Sequence, residues 1–176
     1  MEYESSFAAE LKECDPSDGD DVYKMLITIP ADENGFINNV CGKTLDEYKL
    51  ILQKQYESSR QIGLVDGWKV PQTTYWLYID GVPVGVSKVR HFLTDALLKQ
   101  GGNIGYAIAP QYRGMGYGNL LLRMTLMECA AMGLKQVLVT VHSSNIPSIK
   151  TALANGGKIE KEENGRKYIW IDVPKS

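Results

Sequence analysis

The chain has 176 residues, of which 44% are hydrophobic, and its formal net charge is −2. This length predicts one domain over residues 1–176, with a poorly patterned region at 1–72 and a regularly patterned core at 73–176. No apolar run approaches the roughly 18 residues of a membrane span, and the N-terminal stretch is acidic where a secretory signal would be basic. We therefore expect a cytoplasmic protein with no membrane partner.

The net charge conceals an asymmetry along the chain. Residues 1–49 hold 12 acidic and 4 basic residues, a net −8, whereas residues 50–176 hold 9 acidic and 15 basic residues, a net +6. The basic part suits an anionic ligand and the acidic part would attract a cationic one, although two solvated faces explain the same charges.

The cysteines argue against a metal centre. Cys14, Cys41 and Cys129 have no C-x-x-C spacing, and both histidines lie far from them in sequence. We therefore expect neither a bound metal nor a disulfide framework. Cys129 falls in an apolar helical run, where a cysteine is typically a small buried side chain.

Hydrophobic periodicity predicts the elements in chain order. Turn formers dominate residues 1–45, where we expect loops and at most short helices. Residues 44–61 predict an amphipathic helix, and residues 63–72 a loop. The elements predicted after it are strands at 73–79 and 82–92 joined by an Asp80-Gly81 hairpin, a strand at 103–110, a helix at 116–132 with Leu120, Met124, Met127 and Ala131 on its apolar stripe, a strand at 136–142, a helix at 145–155 and a hairpin at 158–173. This order predicts an α/β or α+β fold with a mixed sheet and helices packed against it.

Three glycines, at 114, 116 and 118, precede the longest predicted helix. A helix N-terminus exposes unpaired N–H groups and a partial positive charge, and glycines there let a phosphate group approach both. The sequence after Gly118 lacks the Lys-Ser/Thr of a Walker loop, and the G-x-G-x-G spacing differs from a dinucleotide fingerprint. From these residues alone, a glycine turn that binds nothing stays open.

The same stretch resembles motif A of the GNAT superfamily of N-acetyltransferases, Q/R-x-x-G-x-G/A, through Arg113, Gly116 and Gly118. The resemblance covers about residues 74–173 and implies a GNAT-like, mostly antiparallel sheet flanked by helices, with an N-terminal helical or loop region. The elements that flank motif A in the family also have counterparts here. They are the strand ending at Tyr106 to Pro110 before the motif, a long helix and a strand after it, and an N-x-x-A/S helix at Asn145 and Ser148.

The resemblance implies acetyl-CoA as co-substrate, with no metal. Main-chain groups of Tyr106, Ala107 and Ile108 would pair with the pantetheine arm, and the Ile108 amide would polarise the thioester carbonyl. Asn145 would contact the pantetheine or its thioester end, and it is also a candidate helix cap. The pyrophosphate would be held by backbone N–H groups of Arg113, Gly114, Met115, Gly116, Tyr117, Gly118 and Asn119.

The implied reaction is direct attack of a neutral amine on the thioester in a ternary complex, which needs a route for the amine proton. Many amine-acetylating relatives have a glutamate and a tyrosine where this chain has Thr140 and Ala152. His142 shares a strand face with Thr140, and an imidazole ordinarily titrates at about pH 6.5, so His142 is the candidate base. The alternative for His142, a partly exposed polar residue at a strand end, is the more common role of a histidine at such a position.

The acceptor would be a primary amine of a small molecule or peptide, cationic at neutral pH if the acidic front part attracts it. The alternative is a non-catalytic acyl-CoA-binding regulatory module, favoured by the vacant glutamate and tyrosine positions. Nucleic-acid binding has no aromatic-basic motif behind it and is not expected. The sequence leaves the acceptor and the oligomeric state open, a homodimer included. The candidates for the acceptor side, although a core or surface position is more common for each, are Tyr75, Trp76, His91 and Tyr106.

Overall fold

The computed structural model describes residues 7–61 and 69–175. Within these ranges no helix combines the length and apolarity needed to span a bilayer. The elements are β1 (Ala9–Glu13), α1 (Asp20–Leu26), β2 (Asp32–Glu33), β3 (Phe36–Ile37), α2 (Leu45–Ser58), β4 (Gln72–Ile79), β5 (Val82–Arg90), α3 (Asp95–Lys99), β6 (Ile104–Ile108), α4 (Tyr117–Ala131), β7 (Gln136–His142), α5 (Ile146–Ala154), β8 (Lys158–Glu163) and β9 (Arg166–Asp172).

The first sheet has the strand order β1-β4-β5-β6, with every neighbouring pair antiparallel. β4 is buried on both faces, because Trp76 and Tyr78 pack in one cluster with α1 and α2 while Leu77 and Ile79 pack in another that includes Leu121 of α4. The turn between β4 and β5 has the two positive φ angles that a type I′ hairpin requires.

The second sheet has the order β7-β9-β8 and is also antiparallel. β7 carries Val137, Val139 and Val141 into the core, where they meet α4 and α5. The predicted fold class is confirmed: seven of the nine described strands form these two sheets, β2 and β3 form a separate hairpin, and helices pack on the sheets.

The two sheets are joined at Asn103, immediately before β6. Its N–H donates to Leu138 O at 2.8 Å, and its side-chain oxygen accepts from Leu138 N–H at 2.9 Å. Its side-chain amide donates to Arg90 O at 3.1 Å, while its own C=O accepts from Arg90 N–H at 2.7 Å. Asn103 is 2% exposed. It therefore ties β5, β6 and β7 together at one end, and beyond it β6 and β7 are edges of separate sheets.

The buried face of α4 differs from the predicted stripe. Met127 is 61% exposed and Ala131 is exposed, so the prediction was wrong for these two positions. The helix is apolar around most of its circumference, and spacing alone does not determine which side faces the sheet. Thr125 fits the buried side because its hydroxyl bonds Ser87 Oγ and Leu121 O. The buried residues are Leu121, Leu122, Thr125, Leu126 and Cys129.

The N-terminal region contains strands that the sequence prediction missed. β1 pairs with β4 from Ala9↔Ile79 to Glu13↔Tyr75, a partner more than 60 residues away. β2 and β3 form a short hairpin around Asn34 and Gly35, whose φ angles are 52° and 89°. α2 was predicted correctly, and it begins with a capping box in which Thr44 and Glu47 bond each other's backbone N–H.

Replacing Asn103 with Ala should lower the free energy of unfolding by about 2–4 kcal/mol, because Leu138 N–H and Arg90 O would be left buried without their side-chain partners. Urea unfolding measures this directly. Asn39→Ala, which removes an exposed amide, should change the same quantity by less than about 0.5 kcal/mol. A loss below about 1 kcal/mol for Asn103→Ala would show that this residue does not join the sheets.

Candidate active site

A cleft made of two connected cavities lies between β6 and β7. The first, which we call the loop cavity, has a volume of about 500 Å³ and is lined by the residues after β6, the start of α4 and the start of α5. The second, the strand cavity, has a volume of about 380 Å³ and is lined by β5, β6, β7 and the start of β9. The two share six lining residues, namely Glu33, Asn34, Phe36, Tyr106, Asn145 and Ser148.

The loop before α4 presents a series of unused backbone donors. Leu120 N–H makes the first helical bond, to Gly116 O at 3.3 Å. Among the described residues, no hydrogen bond is made by the six N–H groups of residues 114–119. Arg113 N–H, by contrast, donates to Pro110 O at 3.4 Å. The donors therefore begin at Gly114 and stand at the positive end of a 15-residue helix.

Glycine is required at two of these positions by backbone conformation. Gly114 and Gly116 have φ angles of 78° and 81°, which place them in the left-handed region. A Cβ built at either glycine would meet no described atom within 4 Å, so the space in front of the loop is open. Gly118 is helical, and a Cβ there would lie 3.9 Å from Ile108 Cγ1 at the wall of the loop cavity.

The open edge of β6 presents main-chain groups to the cleft. Ala109 N–H donates to Val84 O at 2.9 Å, toward β5. Because adjacent residues of a strand point their backbone groups to opposite sides, Ile108 N–H and C=O point away from β5. Ile108 O accepts from Arg113 Nε at 2.9 Å, in agreement with that direction. Tyr106, two residues earlier, presents its backbone to the same side.

Asn145 combines a structural position with a place in the cleft. Its side-chain oxygen accepts from Ser148 N–H at 3.5 Å and its amide donates to Ser148 Oγ at 3.1 Å, so it caps α5. It also lines both cavities. The structure thus brings Asn145 together with Tyr106, Ile108 and the glycine loop.

The β2–β3 hairpin closes one side of the cleft and is fastened at both ends. The Glu33 carboxylate forms an ion pair with the Arg113 guanidinium. At the other end, Lys88 Nζ donates to Ile37 O at 3.2 Å and lies 5.1 Å from the centre of the Phe36 ring. Glu33 is the one described carboxylate that lines either cavity.

The Tyr106 hydroxyl is buried at the base of α5. Burial raises the pKa of this phenol, and the nearby Ser148 and Thr151 side chains partly offset the rise. Within the described chain the hydroxyl makes no well-formed hydrogen bond. A raised pKa keeps it protonated throughout the neutral range.

His142 lies beside the hairpin rather than on a cavity wall. A Cβ built on Gly35 would be 3.5 Å from His142 Nε2 and 3.9 Å from an Arg166 nitrogen. Thr140 lines the strand cavity, and its hydroxyl accepts from Gly101 N–H at 3.0 Å. Ala152 is fully buried in the core. Thr140 and Ala152, which stand where many relatives have a glutamate and a tyrosine, therefore supply neither an acid nor a base.

The other aromatic candidates lie outside the cleft. Tyr75 packs in the core, and Trp76 is buried with its indole N–H donating to Asp18 Oδ2 at 2.8 Å. The His91 ring nitrogen Nε2 is 2.7 Å from Thr73 Oγ1. Of the four side chains considered for the acceptor side, Tyr106 is the one that lines a cavity.

Sequence reasoning missed the charged side chains of the cleft. Glu33, Lys88, Arg90 and Arg166 come from three separate parts of the chain and line the strand cavity. One local signal could have located the first of them, because Asn34-Gly35 is a type I′ turn sequence that predicts a hairpin beside Glu33.

In the described residues, no group of three or more His, Cys, Asp or Glu side chains is arranged to hold a metal ion.

The family model for the acetyltransferase (GNAT) family matches residues 43–156, about two thirds of the chain. The chain belongs to the GNAT family of acetyltransferases. The matched range contains the glycine loop, the open edge of β6 and Asn145. No curated protein matches the sequence significantly.

Solved structures of GNAT proteins share the fold at low sequence identity. An acetyltransferase of the GNAT family from Streptococcus pneumoniae has a TM-score of 0.65 at 18% identity, over 95% of this chain and 100% of that one. The Campylobacter jejuni N-acetyltransferase PseH, in complex with acetyl coenzyme A, has a TM-score of 0.63 at 14% identity, over 95% and 100%. The ribosomal-protein alpha-N-acetyltransferase RimL, in complex with coenzyme A, has a TM-score of 0.69 at 14% identity, over 94% of each chain.

Proposed function

We propose that this GNAT protein transfers the acetyl group of acetyl-CoA to a primary amine, with both substrates bound together in the cleft. The observation that carries the proposal is the run of backbone N–H donors at residues 114–119, which open onto the loop cavity without an acceptor in the described chain. Such a run at a helix N-terminus suits the pyrophosphate of a coenzyme. PseH and RimL, which share the fold, are complexes with acetyl coenzyme A and coenzyme A.

The residues along β6 fit the rest of the coenzyme. Tyr106 and Ile108 turn backbone groups toward the cleft, where an extended pantetheine arm would pair with them as an added strand, beside Ala107. Asn145 lies across the cleft at the point where the two cavities meet. Acetyl-CoA bound here would supply an activated acetyl thioester. The Ile108 N–H is the donor placed to stabilise negative charge on the thioester oxygen.

The strand cavity is the place for the amine, because it joins the loop cavity at Tyr106 and Asn145. The attacking nitrogen must lose a proton. We propose His142 as the acceptor through one water, since its ring lies beside Gly35 and the two neighbours of that glycine line both cavities. The Tyr106 hydroxyl, which stays protonated, is the candidate donor for the departing thiolate.

Gly118→Val tests the coenzyme site. The substitution keeps an ordinary helical φ and adds methyl groups at the wall of the loop cavity. We expect the Kd for acetyl-CoA, measured by calorimetry, to rise by about tenfold or more, a loss of about 1.4 kcal/mol. Gly116→Val is a poorer probe, because the φ of 81° would add backbone strain.

The matched control is Ala131→Val, which adds the same branched side chain at an exposed position at the other end of α4. It should leave the Kd unchanged. An unaltered Kd in a folded Gly118→Val protein would remove the assignment of acetyl-CoA to this loop.

The proton route is tested by comparing kcat/KM of two variants with one fixed amine. If His142 accepts the proton, His142→Ala should lower kcat/KM by about 10². Glu33→Gln should lower it far less, although Glu33 lines both cavities. The opposite pattern, with the large loss in Glu33→Gln and little change in His142→Ala, would transfer the role to Glu33.

A panel of primary amines assayed for thiol release tests the reaction itself. Transfer to at least one amine is expected. Tight binding of acetyl-CoA without transfer to any amine would favour the non-catalytic acyl-CoA-binding module.

A further inference from the structure

We propose that the strand cavity binds an anionic group of the acceptor, a carboxylate or a phosphate, through Lys88, Arg90 and Arg166. The acceptor is then a small amine that carries an oxyanion. This inference rests on the proposed function, because it names the class of amine that enters the second cavity. It proposes that the strand cavity selects the amine acceptor, a choice that the acetyl-CoA site does not determine.

The three cations converge on one space from both sheets. Lys88 and Arg90 are two residues apart on β5, so their side chains leave the same face of the first sheet. Arg166 begins β9 in the second sheet, opposite His142 in the register. All three line the strand cavity, which has a volume of about 380 Å³. A cavity of this size accepts a small molecule.

The charge of these cations is not balanced inside the cavity. None of the ion pairs within residues 7–61 and 69–175 includes Lys88, Arg90 or Arg166. Glu33 is the single described carboxylate on the wall, and it already pairs with Arg113. An anion entering the cavity would therefore meet three positive side chains and one engaged negative one.

Two of the cations are held in place by the backbone. Arg90 Nη1 donates to Gly101 O at 3.1 Å and to Gly102 O at 3.3 Å, which orients the guanidinium. Lys88 Nζ donates to Ile37 O at 3.2 Å, which uses one of its three donors. Donors fixed before binding lose little entropy when they bond an oxyanion, so the site is preorganised.

Burial makes an unpaired cation here unfavourable, and this supports the same conclusion. Burial first, and then the positive charge of Arg90, lower the pKa of Lys88 to about 8. Burial also lowers the pKa of Arg90. A bound carboxylate or phosphate would remove both penalties at once.

The lining also revises the expected charge of the acceptor. The sequence predicts a cationic acceptor because residues 1–49 have a net charge of −8, but among the acids of the described residues 7–49 Glu33 alone lines either cavity. The local charge of the strand cavity, rather than the charge of the front part of the chain, is what an acceptor meets. That local charge favours an amine with an attached anion.

Two matched pairs of acceptors test the proposal with acetyl-CoA saturating. β-Alanine against β-alaninamide tests a carboxylate, and phosphoethanolamine against ethanolamine tests a phosphate. We expect kcat/KM for the member that carries the anionic group, in at least one pair, to exceed that of its partner without this group by about tenfold or more. The pair with the larger preference identifies the anion.

Single substitutions then locate the preference. Lys88→Gln and Arg166→Gln should each bring the ratio close to one, and Arg166→Gln does so without touching the Lys88 bond to Ile37 O. Lys158→Gln, which removes an exposed cation on β8 outside both cavities, should leave the ratio unchanged. A preference that survives both cavity variants would overturn the assignment.

Lys88 provides a second readout. Its charge is lost as the pH rises through about 8, and the other charged or titratable groups that line this cavity in the described part of the chain are Arg90, Arg166, Glu33 and Tyr106. In the wild type, the ratio of kcat/KM for the acceptor with the anionic group to kcat/KM for its partner without it should therefore fall across this range. Lys88→Arg, which stays charged, should hold a higher ratio above pH 8. Identical profiles would exclude Lys88 from the site.

The outcomes separate this proposal from the proposed function. Equal transfer to both members of each pair would overturn the anion site and leave N-acetyl transfer standing. Absence of transfer to every amine would overturn the proposed function. Calorimetry with coenzyme A bound then tests the anion site. In the wild type, phosphoethanolamine or β-alanine must bind more tightly than the partner that lacks the anionic group. In Arg166→Gln this difference in affinity must be lost. Equal binding in the wild type would overturn the anion site.

Discussion

Asn103 fastens β6 to β7 at one end only, and the cleft follows from that single attachment. At this point Asn103, which precedes β6, and Leu138 of β7 form two hydrogen bonds with each other. Farther along, β6 pairs with β5 and β7 pairs with β9, so their facing edges are left apart. Backbone groups on an open edge must be satisfied by water or a ligand. An extended coenzyme arm is a ligand of matching shape.

Different groups attract negative charge at the two ends of the cleft. At the loop cavity, attraction comes from backbone N–H groups and the helix dipole, which suit a diester-like pyrophosphate. At the strand cavity it comes from Lys88, Arg90 and Arg166. Glu33 lies between the two, paired with Arg113. The hairpin that carries Glu33 also bonds Lys88, so a single short element contacts both ends of the cleft.

Local patterns in the sequence predicted the parts of the fold that local interactions determine. The helix at Leu45–Ser58 has its own capping box, and the strand at Gln136–His142 is a short apolar run rich in valine. β1 could not be found in this way, because it is an edge strand with an exposed alternate face and its pairing partner is distant in sequence. The face of α4 was misplaced because its apolar residues surround the helix.

The residues of the candidate site also fall into those that a local motif predicts and those that only the tertiary structure brings together. The glycine loop and Asn145 lie in a short motif, and a resemblance to a family was enough to indicate them. Lys88 and Arg166 are 78 positions apart in the sequence and line one cavity only because β6 and β7 bring the edges of the two sheets side by side. The net charge of a long segment does not describe the lining of the strand cavity, since acids such as Asp18 bond core side chains elsewhere. Specificity of this kind depends on tertiary structure.

If residues 114–119 and the open edge of β6 hold one molecule of acetyl-CoA between the sheets, their amide protons should be protected when it binds. Residue-resolved amide hydrogen exchange, with and without saturating acetyl-CoA, measures this protection. We expect slower exchange at the N–H groups of residues 114–119 and of Ile108, with little change at the β8–β9 turn. Unchanged exchange at the loop and at Ile108, with protection appearing elsewhere, would rule out this binding site.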